Sequence, residues 1–242
     1  MPDENKIFKK AFKIHLEGKI KEAQKIYLKL IKKIEKKHDL FFLIATTYLQ
    51  TEDYKKAINF FNKSIDIKSN FADAYNNRGI ALNKMKMYHE SIEDFNRAIK
   101  LKENYFDAHL NKGISLRNLK KYDEAIQSYQ NCIKLKNHDA KIYNNLGNVF
   151  FEINNYDKAL NFFDKAIELD NNYAEAYYGR GKLLDQRNHT ELAIKDFEKA
   201  VNINDNFDFL YGHLIHAKMK ICDWKNYKFL NKKIVDGIQK RK

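Results

Sequence analysis

Three asparagines recur at a constant interval and could hydrogen-bond to a bound polypeptide. Asn77, Asn111 and Asn145 stand 34 residues apart. An asparagine side chain carries both a donor and an acceptor, so a column of them can bind the backbone of an extended peptide whatever its side chains. Asparagine is also common elsewhere in this chain, and on a solvated face it needs no ligand. The spacing therefore indicates either a peptide-binding ladder or a run of solvated amides.

Further polar side chains flank this column and could contact acidic groups of a ligand. They are Lys84, Arg117, Lys141, Asn148 and Lys182. Lysine and arginine donate charge-assisted hydrogen bonds to carboxylates. We therefore take these five residues and the three asparagines as the candidate peptide-binding residues.

The sequence shows no comparable pattern that would indicate catalysis or metal binding. The sequence has no phosphate-binding glycine loop, no dinucleotide fingerprint, no H-E-x-x-H pair and no G-x-S-x-G elbow. His213, His216 and Cys222 offer three ligands, whereas a zinc site needs four that converge. We therefore predict a protein that is not an enzyme, without catalytic residues, metal, cofactor or small-molecule substrate.

The composition restricts the elements that can position these residues. With 44% hydrophobic residues in 242, the chain can bury a core, while one proline and eight glycines are too few for the turns of a β-rich fold. No apolar run approaches the ~18 residues of a membrane span, and residues 1–13 lack the apolar region of a secretory signal. Two cysteines suit a reducing compartment. We expect a cytoplasmic protein without membrane contact.

The positive charge is concentrated at the two ends of the chain. The net charge is +13; the first 37 residues hold twelve lysines against five acids, and the last 35 hold nine basic residues against three acids. Between them the charges balance. A central nucleic-acid groove would need a positive stripe in that middle region. Solvated lysines on terminal helices explain the ends more simply, so nucleic acid is the least favoured partner.

An internal repeat of 34 residues organises the chain. Gly79, Gly113, Gly147 and Gly181 stand at this spacing. The same register, extended both ways without insertion, gives units 4–37, 38–71, 72–105, 106–139, 140–173, 174–207 and a degenerate capping unit 208–241. We call them repeats 1 to 7 and number positions 1 to 34 within each. Such a period indicates stacked supersecondary units.

Small and aromatic residues recur at fixed positions of these repeats. The small residue at position 8 reads Ala11, Ala45, Gly79, Gly113, Gly147 and Gly181. Position 20 reads Ala23, Ala57, Ser91, Ala125, Ala159 and Ala193. The aromatic residue at position 24 reads Tyr27, Phe61, Phe95, Tyr129, Phe163 and Phe197. This pattern resembles the tetratricopeptide repeat (TPR) family.

The resemblance implies an all-α fold, a right-handed α-α superhelix (TPR solenoid) of about seven helical hairpins. In the third repeat we expect helix A from about Ala72 to Met85 and helix B from about His89 to Leu101. Small residues at positions 8, 20 and 27 let helices approach, and aromatics at positions 4, 17 and 24 fill the space. One hairpin cannot bury its apolar face alone, so neighbours must stack. We predict a single solenoid over residues 4–241, binding a protein or peptide partner in the concave groove lined by helices A.

Two groups of TPR proteins suggest more specific functions. Chaperone-binding repeats hold a terminal carboxylate with lysine at position 5 and asparagine at position 9, and no repeat here has that pair; the nearest is Asn144 with Asn148.

The stretch from His216 to Trp224 resembles the junction after the repeats of O-linked N-acetylglucosamine transferase and SPINDLY-like proteins, which carry a similar asparagine column. The alternative function is thus a substrate-recruiting TPR region, or a relative lacking the catalytic domain. Only 18 residues follow Trp224, too few for a nucleotide-sugar domain.

Overall fold

Paired α-helices make up the regular structure in the part of the chain that the computed structural model describes, residues 4–31, 38–204 and 209–239. Residues 32–37 of repeat 1, 205–207 of repeat 6, and 208 and 240–241 of repeat 7 lie outside the described residues. The helices are α1 Glu4–Leu16, α2 Ile20–Leu30, α3 His38–Gln50, α4 Tyr54–Ile67, α5 Ala72–Lys84, α6 Tyr88–Leu101, α7 Phe106–Asn118, α8 Tyr122–Leu135, α9 Ala140–Glu152, α10 Tyr156–Leu169, α11 Ala174–Gln186, α12 Thr190–Ile203, α13 Leu210–Lys220 and α14 Tyr227–Gln239.

The helices follow the predicted register of two per repeat. Helix A of the third repeat is α5, Ala72–Lys84, and helix B is α6, Tyr88–Leu101. Both bounds agree with the prediction to within one residue. No strand occurs among the described residues, and the predicted all-α fold class of repeated helical hairpins is confirmed.

The chain divides into two compact bodies. The N-terminal body is Met1–Asn131 and the C-terminal body is Cys132–Lys242, with the division inside α8. In the N-terminal body α4 packs on α5 and α6 packs on α7, so each hairpin contacts the next. In the C-terminal body α10 packs on α11 and α12 on α13 in the same way. Each body is therefore a stack of hairpins.

The contact between position 8 and position 24 fixes the distance between the two helices of a hairpin. The ring of Phe95 is fully buried, and a Cβ added to Gly79 would lie 2.7 Å from its Cε1 atom. In the C-terminal body a Cβ on Gly181 would lie 2.7 Å from Cε1 of Phe197. Real Cβ atoms do not approach a buried ring so closely, because interiors are close-packed. The predicted pairing of a small residue with a large aromatic is confirmed at these positions.

The aromatics at positions 4 and 17 differ from the prediction. Tyr75 and Tyr156 are half-buried, not enclosed in the core. Tyr75 lies beneath the guanidinium of Arg78, whose Cζ is 5.5 Å from the ring centroid. The Tyr156 hydroxyl donates to Asn154 Oδ1 at 2.7 Å and accepts from Gln186 Nε2 at 2.6 Å. A tyrosine keeps its hydroxyl at the surface when polar partners are there, so only the position-24 ring fills the interior.

One backbone conformation ends helix A in every repeat. The residue at position 15 has a positive φ throughout, and the set is Gly18, Glu52, Lys86, Lys120, Asn154, Asn188 and Cys222. In repeat 3 the Lys86 amide donates to the Asn83 carbonyl at 2.9 Å and the next amide, that of Met87, donates to the Leu82 carbonyl at 2.9 Å. This is the pattern of a Schellman C-cap, which satisfies the last carbonyls of a helix. Every hairpin therefore turns in the same way, although only one residue of the set is glycine.

Candidate functional site

Two of the predicted asparagines lie in a hydrogen-bonded chain in the N-terminal body. Asn111 on α7 donates from Nδ2 to Oδ1 of Asn76 on α5 at 3.3 Å, and Asn76 donates from Nδ2 to Oδ1 of Asn77 at 3.1 Å. Asn76 is only 3% exposed, while Asn77 and Asn111 are half-buried. Among the described residues of this body, Nδ2 of Asn77 and Oδ1 of Asn111 make no hydrogen bond, which leaves one donor and one acceptor for a ligand.

The hub of this chain, Asn76, was not among the predicted site residues. It stands at position 5, and its amide is enclosed between α5 and α7. The bond from Asn111 spans 35 residues, one repeat plus one position. A search for polar pairs one repeat plus one position apart would have found it.

The two predicted cations of the N-terminal body, Lys84 and Arg117, differ in their position relative to the asparagines. Lys84 is exposed in the last turn of α5, seven residues after Asn77, and residues seven apart lie on the same face of a helix. Arg117 is half-buried in the last turn of α7, six residues after Asn111, which turns it roughly 120° away around the helix. Lys84 thus lies on the same helix face as Asn77, whereas Arg117 lies on a different face from Asn111.

In the C-terminal body, three predicted residues share one face of α9. Lys141 is exposed, and Asn145 and Asn148 are half-buried. The spacings of four and three residues place all three on neighbouring turns of the same face. Their side chains can therefore contact one ligand segment along this helix.

Lys182, on α11, lies between two aromatic rings. Its Nζ is 5.3 Å from the ring centroid of Phe151 and 5.1 Å from that of Tyr178. The Tyr178 ring in turn meets the imidazole of His213 edge-on, with centroids 5.6 Å apart. Cations are attracted to ring faces at such distances. Phe151 and Tyr178, at positions 12 and 5 of their repeats, were not among the predicted site residues, and His213 was considered only as a metal ligand.

Burial determines the charge state of His213. It lowers the pKa of the imidazole below its ordinary value, and the positive charge of Lys182 lowers it further. The carboxylate of Asp185 acts in the opposite direction, but both its oxygens are bonded to Lys220 Nζ at 2.9 Å. His213 is therefore predominantly neutral at pH 7.

The asparagine column is interrupted at Gly179 on α11. Asn144 occupies position 5, like Asn76, and its Oδ1 is buried without a hydrogen-bond partner in the described part of the chain. The residue 35 positions after Asn144 is Gly179, which has no amide to donate. A Cβ there would lie 2.5 Å from Cε1 of Phe163, so the ring occupies the space that a side chain would need.

The described residues contain no group of three or more His, Cys, Asp or Glu side chains that could hold a metal ion. Cys132 is fully buried and Cys222 is exposed. No helix that the structure describes is both long and apolar enough to traverse a bilayer.

Comparison with known sequence families identifies the repeats. One model, described as "TPR repeat", matches residues 45–86, 113–154 and 147–186. Two further models, described as "Tetratricopeptide repeat", match 72–105 and 174–207. Together these matches cover well over half of the chain. The chain belongs to the tetratricopeptide repeat family.

Solved structures of other proteins share the fold. PilF of Pseudomonas aeruginosa is 14% identical, with a TM-score of 0.72 over 90% of this chain and 97% of that one. MamA from Desulfovibrio magneticus RS-1 is 22% identical, with a TM-score of 0.61 over 71% of this chain and 97% of that one. YrrB, described as a TPR protein with an unusual peptide-binding site, is 22% identical, with a TM-score of 0.58 over 80% of this chain and 97% of that one. No curated protein matches the sequence.

Proposed function

We propose that this TPR protein is a non-catalytic scaffold that binds an extended segment of a partner protein along its helices A. The observation that carries the proposal is the chain Asn111–Asn76–Asn77, with bonds of 3.3 and 3.1 Å. Asn76 holds the two half-buried amides in place, so one donor and one acceptor face a ligand already oriented. Such preorganisation reduces the entropy lost on binding.

The C-terminal body offers side-chain recognition. Lys141, Asn145 and Asn148 share a face of α9, and Lys182 stands between two aromatic rings on neighbouring helices. Acidic side chains of a ligand would meet the lysines, and apolar side chains would meet the rings. The likeness to YrrB supports the same class of ligand, since that protein has a described peptide-binding site.

The test begins with a ligand selected for this protein. A display library of random, proline-free peptides is selected on the immobilised full chain, and calorimetry then gives the affinity of the enriched peptide for wild type and for the double variant Asn77→Ala/Asn111→Ala. Loss of two hydrogen bonds of about 1 kcal/mol each predicts an affinity at least tenfold lower.

The matched control is Asn59→Ala/Asn96→Ala, which removes two exposed asparagines from helices B of the same body. It should leave the affinity unchanged, and circular dichroism should report equal helix content in all three proteins. Equal affinity of the Asn77/Asn111 variant and wild type, or a library that yields no peptide, would contradict the proposal.

The remaining expectations belong with this proposal. We propose one array of seven repeats over 4–241, a cytoplasmic location and a protein or peptide partner without nucleic acid or membrane. No observation favours the glycosyltransferase-associated alternative suggested by the stretch from His216 to Trp224. Incubation with nucleotide sugars and acceptor peptides should give no transfer, and retention on DNA at physiological salt would favour a nucleic-acid function instead.

A further inference from the structure

A recurring space between successive repeats is filled by an arginine in repeat 6. Arg180, at position 7, donates from Nε and Nη2 to the two oxygens of Asp196 at 2.7 Å each. Its Nη1 donates to Asp164 Oδ1, from position 25 of the preceding repeat, at 2.6 Å. We call the space bounded by positions 7 and 23 of one repeat and position 25 of the repeat before it the arginine slot.

The N-terminal body contains the same arrangement in repeat 3. Arg78 donates to the oxygens of Asp94 at 2.7 and 2.6 Å and to Asn62 Oδ1 at 2.7 Å. These residues stand at the same three positions as those of repeat 6. In both repeats a guanidinium thus fills the slot, held by an aspartate at position 23 and by an oxygen at position 25 of the repeat before.

Repeat 2 fills the slot without charge. Position 7 is Ile44, position 23 is Phe60, and position 25 of the preceding repeat is Leu28. All three belong to one apolar cluster of the N-terminal body. An apolar slot is thus closed by a large ring and has no carboxylate at position 25.

Repeat 7 combines the two types: its two leucines are only 2% and 5% exposed, and a cavity remains between them and a carboxylate. Leu214 and Leu230 replace the arginine and its aspartate, whereas Glu198 keeps a carboxylate at position 25. A cavity of about 210 Å³ remains here, between α12, α13 and α14, and all three side chains line it. Phe229 and Val201 form another apolar part of the cavity wall.

The carboxylate at the rim retains an oxygen for a ligand. Glu198 Oε1 lies 2.8 Å from Lys218 Nζ, and the same ammonium lies 2.9 Å from Asp223 Oδ2. Glu198 Oε2 makes no hydrogen bond with any described residue, and this side chain is 47% exposed. Burial opposes the charge of Lys218, but the two carboxylates raise its pKa, so it stays protonated. Lys233 Nζ lies 5.8 Å from the ring centroid of Phe229.

We propose that the cavity at this slot binds an arginine side chain of a partner polypeptide. The aliphatic stem lies against Phe229 and Val201, and the guanidinium donates to Glu198 Oε2, which stands at the position that Asp164 takes toward Arg180 one repeat earlier. The site uses helices α12 to α14 and none of the asparagines, so it is independent of the function proposed above.

Methyl-labelled protein allows a direct test on the full chain. Nα-acetyl-arginine methylamide is titrated into the millimolar range, and the methyl signals of Leu214, Leu230 and Val201 are followed by NMR. Matched probes are the citrulline derivative, which has the same shape without charge, and the leucine derivative. The arginine probe should shift these signals in a saturable way and bind at least fivefold tighter than either other probe.

Variants of the slot residues test separately the charge at its rim and the space inside it. Glu198→Gln should weaken the arginine probe at least fivefold, while Glu168→Gln, on exposed surface of the same body, should not. Lys218→Met removes the competing ammonium and should tighten binding at least threefold. Leu214→Arg fills the slot from within and should abolish binding; if it fails to fold, the other variants still decide.

Three results would overturn the proposal. No saturable shift at these methyls would mean that the slot does not take the side chain. Equal binding of the arginine, citrulline and leucine probes would make it an apolar cleft. An unchanged affinity in Glu198→Gln would remove the carboxylate from recognition.

Discussion

Arg180 and Asp196, sixteen residues apart, join the two helices of repeat 6 through two parallel hydrogen bonds of 2.7 Å. The aspartate side chain is 8% exposed, so these two hydrogen bonds replace contacts that water would otherwise make with its oxygens. Bidentate arginine–carboxylate pairs are among the strongest side-chain contacts. Repeat 3 uses the same pair of positions, and repeat 7 has two leucines there.

Replacing one partner of this pair should lower the free energy of unfolding more than replacing both partners. Arg180→Leu leaves a buried carboxylate without its cation and should lower the free energy of unfolding by about 3 kcal/mol. The double variant Arg180→Leu/Asp196→Leu, which copies Leu214 and Leu230, should lose less. Urea unfolding followed by circular dichroism measures these two variants and the single variant Asp196→Leu. If the double variant lost as much as the two single variants together, the pair would not be coupled.

Two glycines of the C-terminal body should respond oppositely to alanine. Gly181→Ala places a methyl group 2.7 Å from the fully buried Phe197 ring and should cost about 2 kcal/mol of unfolding free energy through overpacking. Gly212→Ala, on α13, meets nothing within 4 Å and should gain up to ~1 kcal/mol from helix propensity. Thermal unfolding of both variants and of wild type measures the sign of each stability change. Equal destabilisation would refute the contact argument.

The position-15 turn predicts a stabilising glycine. Lys86 has φ 62°, which costs a side-chain-bearing residue energy and glycine almost none. Lys86→Gly should therefore raise the free energy of unfolding by up to ~1 kcal/mol. Lys100→Gly, in the exposed part of α6, is the control and should lower it by a similar amount. A loss of stability at both sites would show that the left-handed turn carries no strain.

His213 should make folding stability depend on pH. Burial, followed by the charge of Lys182, lowers its pKa in the folded protein, while the unfolded chain binds the proton near pH 6.5. As the pH falls through about 6.5, the unfolded state takes up more protons, so the stability of the fold decreases. Above that pH this contribution is constant.

Melting temperatures of wild type and His213→Phe between about pH 5 and pH 8 measure this dependence. The variant should lose less stability at the acidic end than wild type does. His89→Phe, an exposed position on α6, is the control and should follow wild type. Identical pH profiles of wild type and His213→Phe would exclude a contribution from this imidazole.

The hairpins could be predicted because their contacts are local and recur at one spacing. The helices of repeat 3 agree with the prediction to within one residue, since the small and aromatic positions interlock within the same hairpin. The turn conformation at position 15 could not be predicted, because Gly18 is the only glycine of that set and the others have no common side-chain chemistry.

The candidate site was predicted less well than the fold. Asn77 and Asn111 belong to one hydrogen-bonded chain, but the residue that joins them, Asn76, is buried and looks like one more common asparagine in the sequence. The rings around Lys182 were missed because Phe151 and Tyr178 stand at positions 12 and 5, outside the recurring aromatic positions 4, 17 and 24. A side chain's neighbours on other helices determine its role, and one helix alone does not specify them.

The last hairpin lacks the interlocked glycine and ring, with Ile215 at position 8 and an exposed Asn231 at position 24. Solenoid stability is a sum over neighbouring contacts, so amide hydrogens of α14 should exchange with solvent before those of α10 or α12. Loss of structure in this body would then begin at its C-terminal edge and proceed hairpin by hairpin, and the earlier repeats could remain folded while that edge is open.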